Sequence, residues 1–306
     1  MKNLSSICNI CVRQFSRTLG SRLESQNGIR QVRRYSVDLA HTVYQGDASL
    51  ANVIIVHGLF GSKSNWRTLA KRLTKDTGCT TVTVDARNHG DSPHVDVMTL
   101  ELMSQDIKSL VTDKLGLSSC ILIGHSMGGK IAMVTSLIEP TLVDKLVVVD
   151  SAPKAPKASE DSWVKAYIRA MMSVDLNKNL SSSELKKYVD LQLQNTMPKK
   201  SIRQFIMKNL QQTDSGFEWQ LNLNALLQNH DALVGFPQHH FTFKKPALFV
   251  RGGLSDYIQP SDYAEILRLF PSAVVETIED AGHWVHSEKP NDFLNVVERF
   301  IENEQV

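Results

Sequence analysis

Gly124-His125-Ser126-Met127-Gly128-Gly129 constrains the fold more than any other stretch of this 306-residue chain. The apolar run Ile121-Leu122-Ile123 precedes it and reads as a buried strand. Lys130-Ile131-Ala132-Met133-Val134 follows and reads as a helix. A serine with glycine two residues away on each side, on a strand-to-helix turn, is a nucleophile elbow. The turn is too sharp for side chains at the glycine positions, and it lifts the serine hydroxyl above the sheet. The helix that follows offers its first backbone N–H groups to a developing negative charge.

The flanks of the elbow carry the same alternation of strand and helix. Val53–Val56, Thr80–Val84, Cys120–Ile123 and Leu146–Val149 are short β-branched or apolar runs, as expected of strands buried on both faces. Helical patterns lie between them, at Ser64–Lys75 and Leu100–Leu115. This order predicts a mostly parallel sheet flanked by helices. From 155 to about 240 the pattern changes to helical stretches with no convincing strand: 161–173, 182–195, 200–211 and 222–233. They predict a helical lid inserted between two core strands. The sheet then resumes with Ala247–Val250, a helix over 261–269, a strand at Val274–Ile278 and a last helix over 291–302.

Hydrophobic residues make up 42% of the chain, enough for one large core, and the net charge of +2 does not suggest a nucleic-acid partner. No apolar run is long enough to be a transmembrane segment. Four cysteines do not make a secreted disulfide framework, and Cys8-x-x-Cys11 stands outside any thioredoxin-like unit. Residues 1–35 differ from the rest. They hold seven basic residues against one acidic residue, Glu24, and end in Arg33-Arg34-Tyr35-Ser36. That composition predicts a mitochondrial transit peptide cut after Tyr35, leaving residues 36–306 as one domain. The remainder has 27 basic and 31 acidic residues and so no cationic bias.

A serine hydroxyl is a poor nucleophile until a base takes its proton, and the base needs an acid to orient it. In a strand–elbow–helix chain the order is Ser, acid, His. His283, in Asp280-Ala281-Gly282-His283-Trp284 before the last helix, is the candidate base for Ser126, with His286 its local rival. Two aspartates compete for the acid. Asp256 follows a core strand in the usual place, and Asp150 ends the strand before the lid, 24 residues after Ser126. Either could instead cap a nearby helix; the reading leans to Asp150. An oxyanion hole needs two N–H donors. Met127 supplies one, and Leu59 or Phe60 in His57-Gly58-Leu59-Phe60-Gly61 supplies the other, with Phe60 preferred. That glycine loop matches neither phosphate-binding nor dinucleotide-binding spacing. Asp85-Ala86-Arg87-Asn88-His89-Gly90-Asp91-Ser92 reads as a loop-bracing network. His89, Asp91 and His94 do not have the spacing of metal ligands. The chemistry requires no cofactor.

These motifs, with Pro93 after Ser92 and Lys130 after the double glycine, resemble the α/β-hydrolase superfamily. Within it, they resemble a group of mitochondrial serine hydrolases and bacterial esterases. The resemblance runs from about residue 37 to the C-terminus. It implies the α/β-hydrolase fold and hydrolysis of acyl esters in the mitochondrial matrix, with lipid esters such as diacylglycerol as substrates. It also implies an association with the 2-oxoglutarate dehydrogenase complex. In the bacterial relatives the acid lies 24 residues after the serine, which is Asp150 here. Related animal sequences have been given an acid near Asn224, where an asparagine cannot serve. Two alternatives stand beside ester hydrolysis: an acyl thioesterase, and a non-catalytic protein that shields a matrix partner. Dehalogenase or epoxide-hydrolase chemistry would need a carboxylate at position 126.

Overall fold

Strands with apolar side chains on both faces must be covered on both, and the structure shows how. The computed structural model describes residues 35–302 except 156, 157 and 215, and of 158–162 the backbone alone. The expected transit peptide, Tyr35 apart, lies outside the described residues, as do Cys8 and Cys11. Seven strands form the main sheet: β1 (His41–Tyr44), β2 (Asn52–Val56), β3 (Thr80–Val84), β4 (Cys120–His125), β5 (Val143–Val149), β8 (Ala247–Gly252) and β9 (Ala273–Ile278). Their order is β1-β3-β2-β4-β5-β8-β9. Only β1 runs antiparallel to its neighbour; the other pairs are parallel.

Period-two alternation divides the core. Val53 and Ile55 of β2 and Ile121 and Ile123 of β4 pack with Leu69, Leu73, Phe293 and Val297. Those four belong to α1 (Arg67–Thr77) and α11 (Pro290–Ile301). Ile54, Val56 and Leu122 point the other way, against Met103 and Ile107 of α2 (Leu100–Ser109) and Ile131 of α3 (Met127–Ile138). Every strand of β2–β5 therefore ends its buried run at the same edge of the sheet, where the loops carrying the motifs emerge.

The insertion holds α4 (Ala158–Ser173), α5 (Ser182–Leu193), α6 (Lys200–Ile206), α7 (Leu223–Gln228) and α8 (His230–Val234). It also holds a hairpin, β6 (Leu210–Thr213) with β7 (Gly216–Trp219), which corrects the expectation of an all-helical lid. The expected helix over 200–211 ends early and the chain turns into β6, because Asn209 donates its side-chain amide to the carbonyls of Ile206 and Phe60. The helix expected over 222–233 is two helices. Asn229 breaks it by bonding Met98 N–H and Asp96 O of the loop before α2. β1 was not expected either: His41-Thr-Val-Tyr is a half-exposed edge strand with no apolar run to announce it. Two short helices complete the fold, α9 (Tyr263–Leu269) and α10 (Val285–Glu288).

Candidate active site

Ser126 stands between β4 and α3 with φ 53° and ψ −114°, a backbone conformation L-residues rarely adopt. The glycines make the turn possible. A Cβ on Gly124 would lie 2.1 Å from the carbonyl oxygen of Gly128, and one on Gly128 would lie 2.3 Å from that of Val56. Ser126 N–H is fixed to Val149 O of the neighbouring strand at 3.0 Å.

The structure brings Ser126, His283 and Asp150 into one hydrogen-bonded chain. Ser126 Oγ is 3.1 Å from His283 Nε2, and His283 Nδ1–H donates to Asp150 Oδ2 at 2.7 Å. Asp150 directly follows β5 with φ 48°, and its carboxylate is fully buried. Its other oxygen accepts Gly252 N–H at 3.1 Å, and the Ser255 hydroxyl also bonds Oδ2. Asp256 is exposed and accepts from Gln259 Nε2 at 3.3 Å, without reaching His283. Nor does Asp256 cap the next helix turn, where Gln259 and Asp262 form a reciprocal cap. His286 is also elsewhere: its ring stacks on Trp66 at 4.1 Å and meets His125 edge-on. Asn224 is exposed on α7 and does not line the site.

Leu59, Phe60 and Met127 line the cavity beside Ser126. Met127 opens α3, so its N–H has no acceptor within the helix. In the glycine loop, Phe60 N–H is engaged with His89 Nε2 at 3.3 Å. Leu59 N–H makes no hydrogen bond among the described residues. Of the two residues expected to supply the second donor, Leu59 is the one whose N–H stays unengaged in the glycine loop.

The surrounding polar residues hold these loops in place. His89 Nδ1–H donates to Arg87 O. His57 Nδ1–H donates to Gly58 O while its Nε2 accepts Ala86 N–H at 3.0 Å. His125, inside the elbow, donates from Nε2 to the backbone carbonyl of His283 at 2.9 Å and so fixes the base loop to the nucleophile. Burial drives His57, His125, His89 and His286 toward the neutral form: His57 is lowered, His125 is held well below the ordinary imidazole range, and His89 and His286 are pushed down to about 3. Asp85 receives Lys63 N–H, Lys63 Nζ and Asp91 N–H. Arg87 grips Asp106 through two hydrogen bonds of 2.6 and 2.7 Å. Burial raises the Asp106 carboxyl, and the guanidinium opposes that. The run from Asp85 to Ser92 is thus bracing, as its polar, turn-rich sequence indicates.

A cavity of about 620 Å³ opens onto Ser126, His283, Leu59 and Met127. Trp163, Tyr167, Ile202 and Phe205 of the lid line it, with Leu254 and Trp284 from the loops. Among the described residues no group of His, Cys, Asp or Glu is placed to hold a metal ion.

A model of the alpha/beta hydrolase fold matches residues 51–290. The chain belongs to the α/β-hydrolase family. It is 45% identical over 263 residues to the sn-1-specific diacylglycerol lipase ABHD11 of Mus musculus, covering 86% of this chain and 85% of that protein. It is 32% identical over 249 residues to the esterase YbfF of Escherichia coli, covering 81% and 92%. The solved structure of a marine microorganism esterase superposes with a TM-score of 0.81 at 32% identity, covering 87% of this chain and all of that one. α/β-Hydrolases place their nucleophile at the elbow after a central strand, where Ser126 stands.

Sequence reasoning missed three residues that touch this site. Ser255 and Tyr257 flank Asp256, and no local pattern in the sequence marks their contacts with Asp150 and His283, which the fold alone brings about. Lys130, noted only as a family mark, reaches the backbone carbonyls of Lys154, Val234 and Gly235.

Proposed function

We propose that this α/β-hydrolase cleaves carboxylic esters through Ser126, His283 and Asp150. The observation that carries the reading is the position of His283, within hydrogen-bond reach of Ser126 on one ring nitrogen and of buried Asp150 on the other. Ser126 Oγ attacks the acyl carbon as His283 Nε2 takes its proton. The Leu59 and Met127 N–H groups receive the oxyanion, which is worth about 3–4 kcal/mol per donor in such sites. His283 then protonates the departing alcohol. A water deprotonated by the same nitrogen releases the acid from the acyl-enzyme. Asp150 fixes the tautomer and balances the imidazolium.

The lid-lined cavity suits an apolar acyl chain. The relatives named as diacylglycerol lipases make a diacylglycerol the first substrate to test. Purified protein should release fatty acid from dioleoylglycerol and p-nitrophenol from p-nitrophenyl butyrate, and folded Ser126→Ala should lose both by about 10⁴-fold. Near-normal turnover by that variant would sink the reading. Hydrolysis of palmitoyl-CoA in preference to both esters would favour the thioesterase. The basic composition of residues 1–35 supports import into the mitochondrial matrix, which a reporter fused to that segment would test. Co-purification from mitochondria would test association with the 2-oxoglutarate dehydrogenase complex.

A further inference from the structure

The loop after β8 carries Asp256, the other candidate acid, and its residues do different work in the structure. Asp256 is exposed and bonds Gln259, while its two neighbours touch the reacting groups. Ser255 supports the Asp150 carboxylate. Tyr257 lies flat on His283, with ring centroids 3.7 Å apart and planes 18° from parallel. The other rings near His283 are differently placed. His125 is tilted by 41° at 4.8 Å and Trp284 is nearly edge-on at 5.7 Å. His125 is held neutral by burial. Among the described residues the one ion-pair partner of His283 is Asp150, which binds in the plane of the ring at Nδ1. The face of the ring belongs to Tyr257.

A π-face attracts a cation much more than a neutral ring. A general base must be unprotonated to accept a proton, and taking the Ser126 proton turns the His283 ring into an imidazolium. A stack that strengthens on that change stabilises the transition state more than the ground state, and such a difference raises the turnover rate. We propose that Tyr257 is a positioning residue for the base: its ring face holds the His283 imidazole in line with Ser126 and favours the imidazolium formed during attack. The inference rests on the reading of Ser126 as nucleophile. A role as plain cavity wall is the competing explanation, since Tyr257 also lines the cavity. A wall residue acts on substrate binding, whereas a residue behind the base acts on chemistry.

The test uses purified protein with Tyr257→Leu and Tyr257→Met, which remove the π-face, and Tyr257→Phe, which keeps it. Circular dichroism checks folding. Two rates are read for each: steady-state hydrolysis of p-nitrophenyl butyrate, and phosphonylation of Ser126 by a small alkyl fluorophosphonate. In phosphonylation an O–P bond forms, a P–F bond breaks, and His283 takes the serine proton. The Leu and Met variants should lose roughly three- to thirty-fold in kcat, with KM within about twofold and phosphonylation slowed by a similar factor. Phe should recover most of what Leu loses. A loss confined to KM, an unchanged kcat in both Leu and Met, or a Phe variant as impaired as Leu would each overturn the proposal. A wild-type protein that takes no label at Ser126 would overturn the reading beneath it as well. Labelled wild-type with Leu and Met variants of equal rate would overturn this inference alone.

Discussion

Asp150 occupies a strained position, with positive φ at the end of β5, and its buried carboxylate is saturated by His283, Ser255 and Gly252. A buried carboxylate without such donors would protonate or unfold its surroundings. Asp150→Asn should therefore cost about 10⁴-fold in kcat, since an amide facing Nδ1 stabilises the wrong tautomer. Asp256→Asn should stay within about threefold, because that side chain bonds Gln259 in solvent. Steady-state kinetics of the two folded variants decide the matter, and the reverse order would return the acid to the loop after β8. Sequence could only rank these aspartates. Both follow core strands, and β5 and β8 are neighbours in the sheet, so their loops emerge side by side. What separates them is which carboxylate turns inward, and side-chain direction in a loop has no periodic signature. The elbow was more legible, because glycine is the one residue its close approaches permit.

At the scale of elements, the lid is held by its roots. Lys130, on the first turn of α3, donates to Lys154 O where the lid begins and to Val234 O and Gly235 O where it ends. A cation near a helix N-terminus opposes the helix dipole, so these three carbonyls must offset that cost. Lys130→Met should destabilise the protein by about 2–4 kcal/mol, since it strands acceptors that had charged donors. It should also speed tryptic cleavage within residues 155–240. Urea titration and a proteolysis time course measure the two effects, and wild-type values in both would remove the clasp from the account. The helical stretches of the lid were visible from apolar spacing. The hairpin was not: Leu210–Thr213 and Gly216–Trp219 are four residues each and mostly polar or half-exposed, and what stops the preceding helix is a long-range bond from Asn209 to Phe60.

At the scale of the whole molecule, four buried histidines tie the loops together in neutral form. Each is lowered from 6.5, two of them to about 3. An unfolded chain would protonate all four below pH 6.5 while the folded chain does not, so unfolding takes up protons and stability falls as pH falls. The loss starts near 6.5 and continues toward 3, at about 1.4 kcal/mol per pH unit for each histidine at its steepest. The raised carboxyls of Asp106 and Glu298 offset a part of it. Tm should drop by on the order of 10 °C between pH 7.5 and 5.5, and the drop should shrink in His89→Gln. A Tm flat across that range would contradict the neutral brace. Both the sheet and the elbow that these loops crown were written in local pattern; the brace was not, because a histidine's burial depends on loops far apart in sequence. Each step of the proposed reaction depends on Ser126. The most direct measurement is rapid-quench mass spectrometry of the protein turning over p-nitrophenyl butyrate. The predicted result is a transient butyryl adduct mapped to the peptide bearing Ser126 and absent from Ser126→Ala. Turnover with no adduct, undiminished in folded Ser126→Ala, would contradict it.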